Sequence, residues 1–259
     1  MASRGIVFLM YHELELPDRA LCQSEPGYVR YILSEASFRS QMDWLRRNSW
    51  KGLSVSEALN FPAGKSVAIT FDDGCETDLT VAAPILQAID YHATFYVTAG
   101  FLDKPGYMSA AQLRQLSSAG FEIGCHSMSH AYLNDLDQAG LHHELVDARL
   151  KLEDVIGKRV EHFSCPGGRY NQRTLETAKQ SGYRSLATSR THPNHPSTNP
   201  FSLGRVVMMR DTSESAFSKI CAGTGLWKIR LGESARVGAR KLVGNRLYDR
   251  FRALLLWRP

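Results

Sequence analysis

The sequence predicts an α/β fold built on a mainly parallel sheet, wound or closed as a barrel. Three observations predict it. Short apolar, β-branched runs alternate with segments of helical periodicity along most of the chain. The polar clusters able to do chemistry stand where predicted strands end, as in parallel α/β folds with their sites at the C-terminal strand ends. The 259 residues, 43% apolar and 22% charged, suit one large domain, or a domain with a small appendage.

The elements follow in order. Residues 6–11 read as a strand, and this apolar run lacks the basic region and small-residue cleavage site of a signal peptide. Phe38, Met42 and Leu45 share one face of a helix starting near Glu35, with Ser34 as N-cap. A buried strand over 67–71 runs into Asp72-Asp73-Gly74, and a helix over 79–89 precedes a strand over 93–98. Ser109 caps a helix that carries Leu113 and Leu116 and stops at Gly120. A strand over 121–125 leads into His126, a long helix covers about 140–156, and a strand over 162–165 leads into Pro166-Gly167-Gly168. A helix over 173–180 and strand-like runs at 185–188 and 204–208 complete the body, with 191–200 between them as a surface loop.

Charge and cysteine usage narrow the function classes. Of the net charge of +5, the segment 226–259 carries nine Lys/Arg against two acids, so the body is slightly acidic and no nucleic-acid surface is expected. Within the tail, Val243, Leu247, Phe251 and Leu254 recur at helical spacing among arginines, which suits an amphipathic helix on an anionic membrane surface or one packed against protein. The five cysteines form no C-x-x-C pair, so neither a disulfide framework nor a structural zinc cluster is expected, and free thiols suit a reducing, cytoplasmic setting. No apolar run approaches the ~20 residues of a spanning helix.

Three segments carry the chemistry. In Thr70-Phe71-Asp72-Asp73-Gly74, one carboxylate can bind a cation while the other takes a proton. In His126-Ser127-Met128-Ser129-His130, an i, i+4 histidine pair at a strand-to-helix corner can present both imidazoles to one metal. Two imidazoles and a carboxylate leave positions open for water and substrate, and a divalent cation held so lowers the pKa of water and polarises a carbonyl. In Ser164-Cys165-Pro166-Gly167-Gly168-Arg169-Tyr170, the glycines allow close backbone approach, and an N–H there can face a developing oxyanion. Each segment alone has an ordinary reading as a turn or an unrelated histidine pair; their order and common placement argue for one site.

On these motifs the chain resembles the polysaccharide deacetylases, the NodB-homology or carbohydrate esterase family 4 group, over most of residues 5–220. The resemblance implies a distorted (β/α)7-type barrel over 1–225; the basic helical tail at 226–259, read from its own charge and spacing, follows it. It implies Asp72 as catalytic base and Asp73, His126 and His130 as ligands of a divalent metal: zinc first, with cobalt, nickel or iron as alternatives. It implies an N-acetylated glycan as substrate. The third motif departs from the family's Arg-x-Pro-aromatic-Gly: Ser164 stands where the family has the Arg that steadies the catalytic Asp, and Arg169 is the candidate replacement. By position, Gly167 would supply the oxyanion N–H, with Pro166, Gly168, Arg169 and Tyr170 lining the substrate. The family's C-terminal Leu-x-His is missing. Leu9-Met10-Tyr11-His12 resembles the N-terminal Tyr-His strand of the poly-N-acetylglucosamine deacetylases with permuted motifs, which implies His12 as general acid, with His192 and His195 as fallbacks. The competing functions are an amidohydrolase of the same fold acting on a cyclic amide or ureide, an O-acetyl esterase, and a non-catalytic glycan-binding module.

Overall fold

The computed structural model describes residues 5–62 and 64–234. Its strands are β1 (Val7–Tyr11), β2 (Leu14–Glu15), β3 (Leu33–Ser34), β4 (Lys51–Leu53), β5 (Ser66–Phe71), β6 (Thr94–Val97), β7 (Glu122–Cys125), β8 (His162–Ser164), β9 (Ser185–Ala187) and β10 (Val206–Val207). Its α-helices are α1 (Pro26–Val29), α2 (Glu35–Arg47), α3 (Val55–Ala58), α4 (Ala83–Gln87), α5 (Ala110–Ser118), α6 (Gln138–His142), α7 (Ala148–Ile156), α8 (Gln172–Gln180) and α9 (Glu214–Cys221). The expected alternation is therefore present. Sequence periodicity missed the short elements: β2, β3, β4, α1 and α3 offer two to four residues each, too few to display a period.

The main sheet runs β10-β1-β5-β6-β7-β8-β9, every pair parallel. Its two ends are joined by one stretch of chain. Leu203 bridges Ala187 in parallel and donates its N–H to the Leu186 carbonyl at 3.0 Å. Three residues later the same stretch becomes β10 beside β1. The sheet thus curls into the distorted barrel. The distortion has a location: β5 pairs with β4 over Ser66–Ala68 and with β6 only at Thr70 and Phe71.

Strands covered on both faces are mainly apolar, and β1 and β5 are buried at every residue, Ser66 and Thr70 of β5 included. Alternation then sorts them into two cores. Outward-facing Tyr11, Phe71 and Phe95, register neighbours, stack at 5.2 and 4.9 Å, and Phe38 of α2 closes edge-on to Tyr11 at 5.1 Å. Inward-facing Phe8, Ala68, Tyr96, Ala187 and Leu203 fill the barrel. Gly124 belongs there for lack of space: a Cβ would lie 2.3 Å from Tyr96 Cδ1.

Helix ends obey their sequence signals. Ser34 caps α2 by accepting from the Ser37 N–H, Ser109 and Gln112 form a capping box on α5, and Gly157 ends α7 in the left-handed region. Two expected helices differ in winding. The one over 79–89 is a π-turn, Asp78–Ala82, running into α4, where Pro84 offers no N–H to the ladder. The one over 140–156 is α6 and α7 joined by a π-turn at His143–Asp147. The loop at 191–200 is partly interior, with Thr191 and Asn194 buried. Of the basic tail, residues 235–259 lie outside the described residues. Within the described part Leu226 is buried in the outer core, and Glu233 accepts from the Thr191 N–H at 3.0 Å.

Candidate active site

Four strand ends on one rim deliver the expected residues. Asp72 directly follows β5, and its N–H donates to the Tyr11 carbonyl at 3.0 Å and so keeps the ladder with β1 one residue longer. The chain then turns sharply: Asp73 adopts φ +83°, costly for a residue with a Cβ. Ser127 (+70°) and His130 (+63°) share this left-handed geometry. Such strain persists only where the surroundings enforce it, and three of the seven non-glycine residues with positive φ among the described residues stand in the motif loops.

The His126–His130 segment is a loop. The expected strand-to-helix corner is not formed, because Ser127 and His130 break the helical backbone. Other contacts hold it. Glu144, buried in the π-turn between α6 and α7, accepts from the Met128 and Ser129 N–H groups at 2.9 Å each and from the Ser129 hydroxyl at 2.5 Å. The Ser127 hydroxyl accepts from the His130 N–H at 3.0 Å. Gly100 donates its N–H to the Met128 carbonyl at 2.8 Å, an approach that would leave a Cβ 2.4 Å from that oxygen.

The result is a compact donor set. Asp73 Oδ1 lies 3.5 Å from His126 Nε2 and 3.4 Å from His130 Nε2, and all three ligand atoms fall within 4.8 Å of one another. The Ser164 carbonyl can only accept, so at 2.9 Å from His126 Nδ1 it fixes the proton there and leaves the Nε2 lone pair free. Burial, outweighing the nearby Asp72, lowers the pKa of His126 to about 4, so its ring is neutral at neutral pH. Asp73 Oδ2 accepts from the Tyr28 hydroxyl at 3.2 Å, whereas the buried Oδ1 has no hydrogen-bond partner among the described residues. A divalent cation among these atoms would satisfy that oxygen, and two imidazoles with a carboxylate suit zinc. The residues present fit the metal the motifs imply.

Asp72 is held differently. The Arg205 guanidinium grips it with both arms, at 2.7 Å to Oδ1 and 2.8 Å to Oδ2, and also donates to Ser164 Oγ at 2.6 Å. Burial alone would raise this carboxyl's pKa; Arg205, with His126 and His12, overrides it and keeps the group well below the usual carboxylate range. The expected tether, Arg169, is not this group: its guanidinium stacks over the Tyr132 ring at 3.6 Å. Arg205 reaches the site because the segment that closes the barrel lies across the strand ends from β5. Sequence reading passed over it, although an arginine inside the apolar run Leu203–Met208 was a signal, since a buried guanidinium requires an anionic partner. Glu144 and Tyr28 carried no such local signal.

The other expected residues are placed as follows. Pro166–Gly168 forms a tight turn after β8, with the Gly168 and Arg169 N–H groups donating to the Cys165 and Pro166 carbonyls. Tyr170 packs against the outer core with Arg190 over its ring at 5.4 Å. His12 follows β1 on the Asp72 side of the barrel, half-buried, stacked on Tyr31 at 5.5 Å, with Nδ1 lacking a hydrogen-bond partner among the described residues. Burial lowers its pKa against the pull of Asp73 and Asp72. His192 and His195 are at the opposite end: Asn194 bridges Ile6 before β1 begins, and His195 abuts Gly5, so neither reaches the Asp–His cluster. A cavity of 190 Å³ lined by Glu122, Lys158 and His162 also opens at that end and shares no residue with the cluster.

Comparisons with known proteins bear on the family and the fold. Residues 60–186 match the polysaccharide deacetylase family. YxkH of Bacillus subtilis (strain 168), provisionally named a polysaccharide deacetylase, is 27% identical over 215 residues, covering 81% of this chain and 73% of that protein. The poly-beta-1,6-N-acetyl-D-glucosamine N-deacetylase of Staphylococcus aureus (strain MRSA252) is 25% identical over 204 residues, 71% of this chain and 70% of that one. Among solved structures, the Streptococcus pyogenes deacetylase PplD in complex with acetate superposes with a TM-score of 0.74, covering 84% of this chain and 98% of that chain at 23% identity, a likeness of fold.

Proposed function

Because this chain belongs to the polysaccharide deacetylase family, we propose that it removes the N-acetyl group from an amino sugar of a polysaccharide, oligosaccharide or lipid-linked glycan in a divalent-metal-dependent hydrolysis. The observation that carries the metal is the Asp73–His126–His130 donor set around an unsatisfied buried oxygen. Asp73, His126 and His130 would hold the cation, most simply Zn²⁺. When bound, it supplies a lowered water pKa and a polarised acetamide carbonyl.

The chain's own groups do the rest. Asp72, kept ionised by Arg205, takes a proton from the attacking water. The Gly167 N–H faces the developing oxyanion. His12, which must carry its second ring proton although burial disfavours that form, protonates the departing amine, the C–N bond breaks, and acetate and a free amino sugar leave. Tyr28 holds Asp73 Oδ2 and thereby aims Oδ1 at the histidines.

The test is acetate release from β-1,4- and β-1,6-linked N-acetylglucosamine oligomers and from a lipid-linked N-acetyl sugar, compared with cyclic ureides and O-acetyl esters. Acetate from at least one N-acetyl sugar is expected. His12→Ala should lower kcat by roughly 10²–10⁴-fold, the usual worth of a general acid, with little change in KM. Turnover of ureides alone would overturn the proposal, and intact turnover in His12→Ala would remove that residue from the scheme.

A further inference from the structure

A second group of reactive side chains stands beside the Asp–His–His set. Cys22 lies half-buried in the loop between β2 and α1, and Cys75 lies buried two residues after Asp73. Their sulfurs are 3.5 Å apart. Glu13 accepts from the Cys22 N–H at 2.9 and 3.1 Å and is ion-paired with Arg19. Arg19 also reaches Cys22 Sγ at 3.7 Å and the Gly106 carbonyl at 2.7 Å. Glu13, Cys22 and Cys75 together have the composition of a metal site. The guanidinium, however, already sits against both the carboxylate and the Cys22 sulfur, where a cation would have to sit.

Two thiols in contact, one on a solvent-facing loop, have a second chemistry. The two sulfurs need only close to about 2.0 Å to bond. Cys75 is fixed by its antiparallel bridge to Tyr107, whereas residues 23–26, just after Cys22, are exposed. The loop is also wired to the site. Tyr28, a few residues on, donates to Asp73 Oδ2, and its oxygen is 3.9 Å from Cys75 Sγ.

We propose that Cys22 and Cys75 form a redox-modification site: oxidation by hydrogen peroxide closes a disulfide that straps the 16–25 loop to the Asp73 turn and slows the reaction, and a dithiol reopens it. The Cys22 thiolate attacks peroxide, breaking the O–O bond, and becomes a sulfenic acid as hydroxide leaves. The Cys75 thiol then displaces water and forms the S–S bond. Each sulfur gives up one electron; the peroxide takes both, with the two thiol protons, and ends as two waters. The hydrogen bond with Cys75, supported by Arg19 and opposed by burial, holds the Cys22 thiol below its ordinary range, which fits it for the attacking role.

The activity part of this proposal rests on the deacetylase reading; the cross-link does not. The zinc-loaded full chain is treated with peroxide, alkylated and peptide-mapped, and acetate release is followed before and after dithiothreitol. A Cys22–Cys75 peptide is expected, with a loss of about tenfold, since displacements near 1 Å at a reacting group cost up to ~10²-fold. Dithiothreitol should restore the activity, and Cys22→Ser should form no cross-link and keep its activity in peroxide. Free, alkylated Cys22 and Cys75 after peroxide would overturn the proposal. So would a mapped cross-link with unchanged activity, or thiols that resist peroxide until a second equivalent of zinc, absent in Cys22→Ser, is chelated away. No acetate from the untreated enzyme would count against the deacetylase reading alone, with the peptide map still deciding the cross-link.

Discussion

Two adjacent aspartates, Asp72 and Asp73, point to different partners and acquire different chemistry from them. Asp72 is neutralised by Arg205, and Asp73 Oδ1 faces two imidazole nitrogens. Arg205→Met would leave a buried carboxylate unpaired, a change that typically costs about 3–5 kcal/mol. The sign with pH follows from the lowered pKa of Asp72. The pair's stability is present above the unfolded carboxylate value of ~3.9 and is lost as pH falls through the lower folded value. Removing Arg205 lets burial raise that pKa, so the acid limb of the activity profile at saturating zinc should move to higher pH. An unmoved limb would mean that Asp72 is not the base. The aspartates and histidines were legible because each sits in a short motif at a strand end. Arg205 is 133 positions from its partner, and only the closed barrel makes them neighbours.

At the level of elements, the π-turn at His143–Asp147 presents Glu144 to the loop that carries both histidines. Glu144→Ala strips an acceptor from two backbone N–H groups and a hydroxyl, and each unsatisfied buried donor costs about 1–3 kcal/mol. Zinc affinity, read by competition with a chromogenic chelator, should fall roughly 10–100-fold, as it does when groups supporting metal ligands are lost. Unchanged affinity would show that the loop holds its shape without Glu144. Strands and helices were readable where they were long or capped, as at β1, β5, α2 and α5. The π-turns were not, because helical periodicity looks the same through one extra residue. Nor was the histidine loop, whose left-handed residues are ordinary Ser127 and His130 without a glycine to mark them.

For the whole molecule, closure is what assembles the site. Residues 203–207 bridge β9 to β1 and in doing so carry Arg205 to Asp72. The outer core keeps the strand ends in register, and Phe71, fully buried between Tyr11 and Phe95, immediately precedes the aspartates. Phe71→Ala should lower unfolding stability by about 3–5 kcal/mol in a denaturant titration. A loss well under 1 kcal/mol would mean that this aromatic row does not hold the rim. Barrel type was legible from the alternation and the motifs together. How it closes was not, because its last strand, β10, is two residues long.

The most direct test of the central claim is acetate release by one preparation assayed as purified, after chelation, and after return of one equivalent of Zn²⁺, with bound metal counted at each stage. The account predicts that activity and metal disappear together and return together, and that His126→Ala recovers neither. Full acetate release from protein stripped of metal would contradict it.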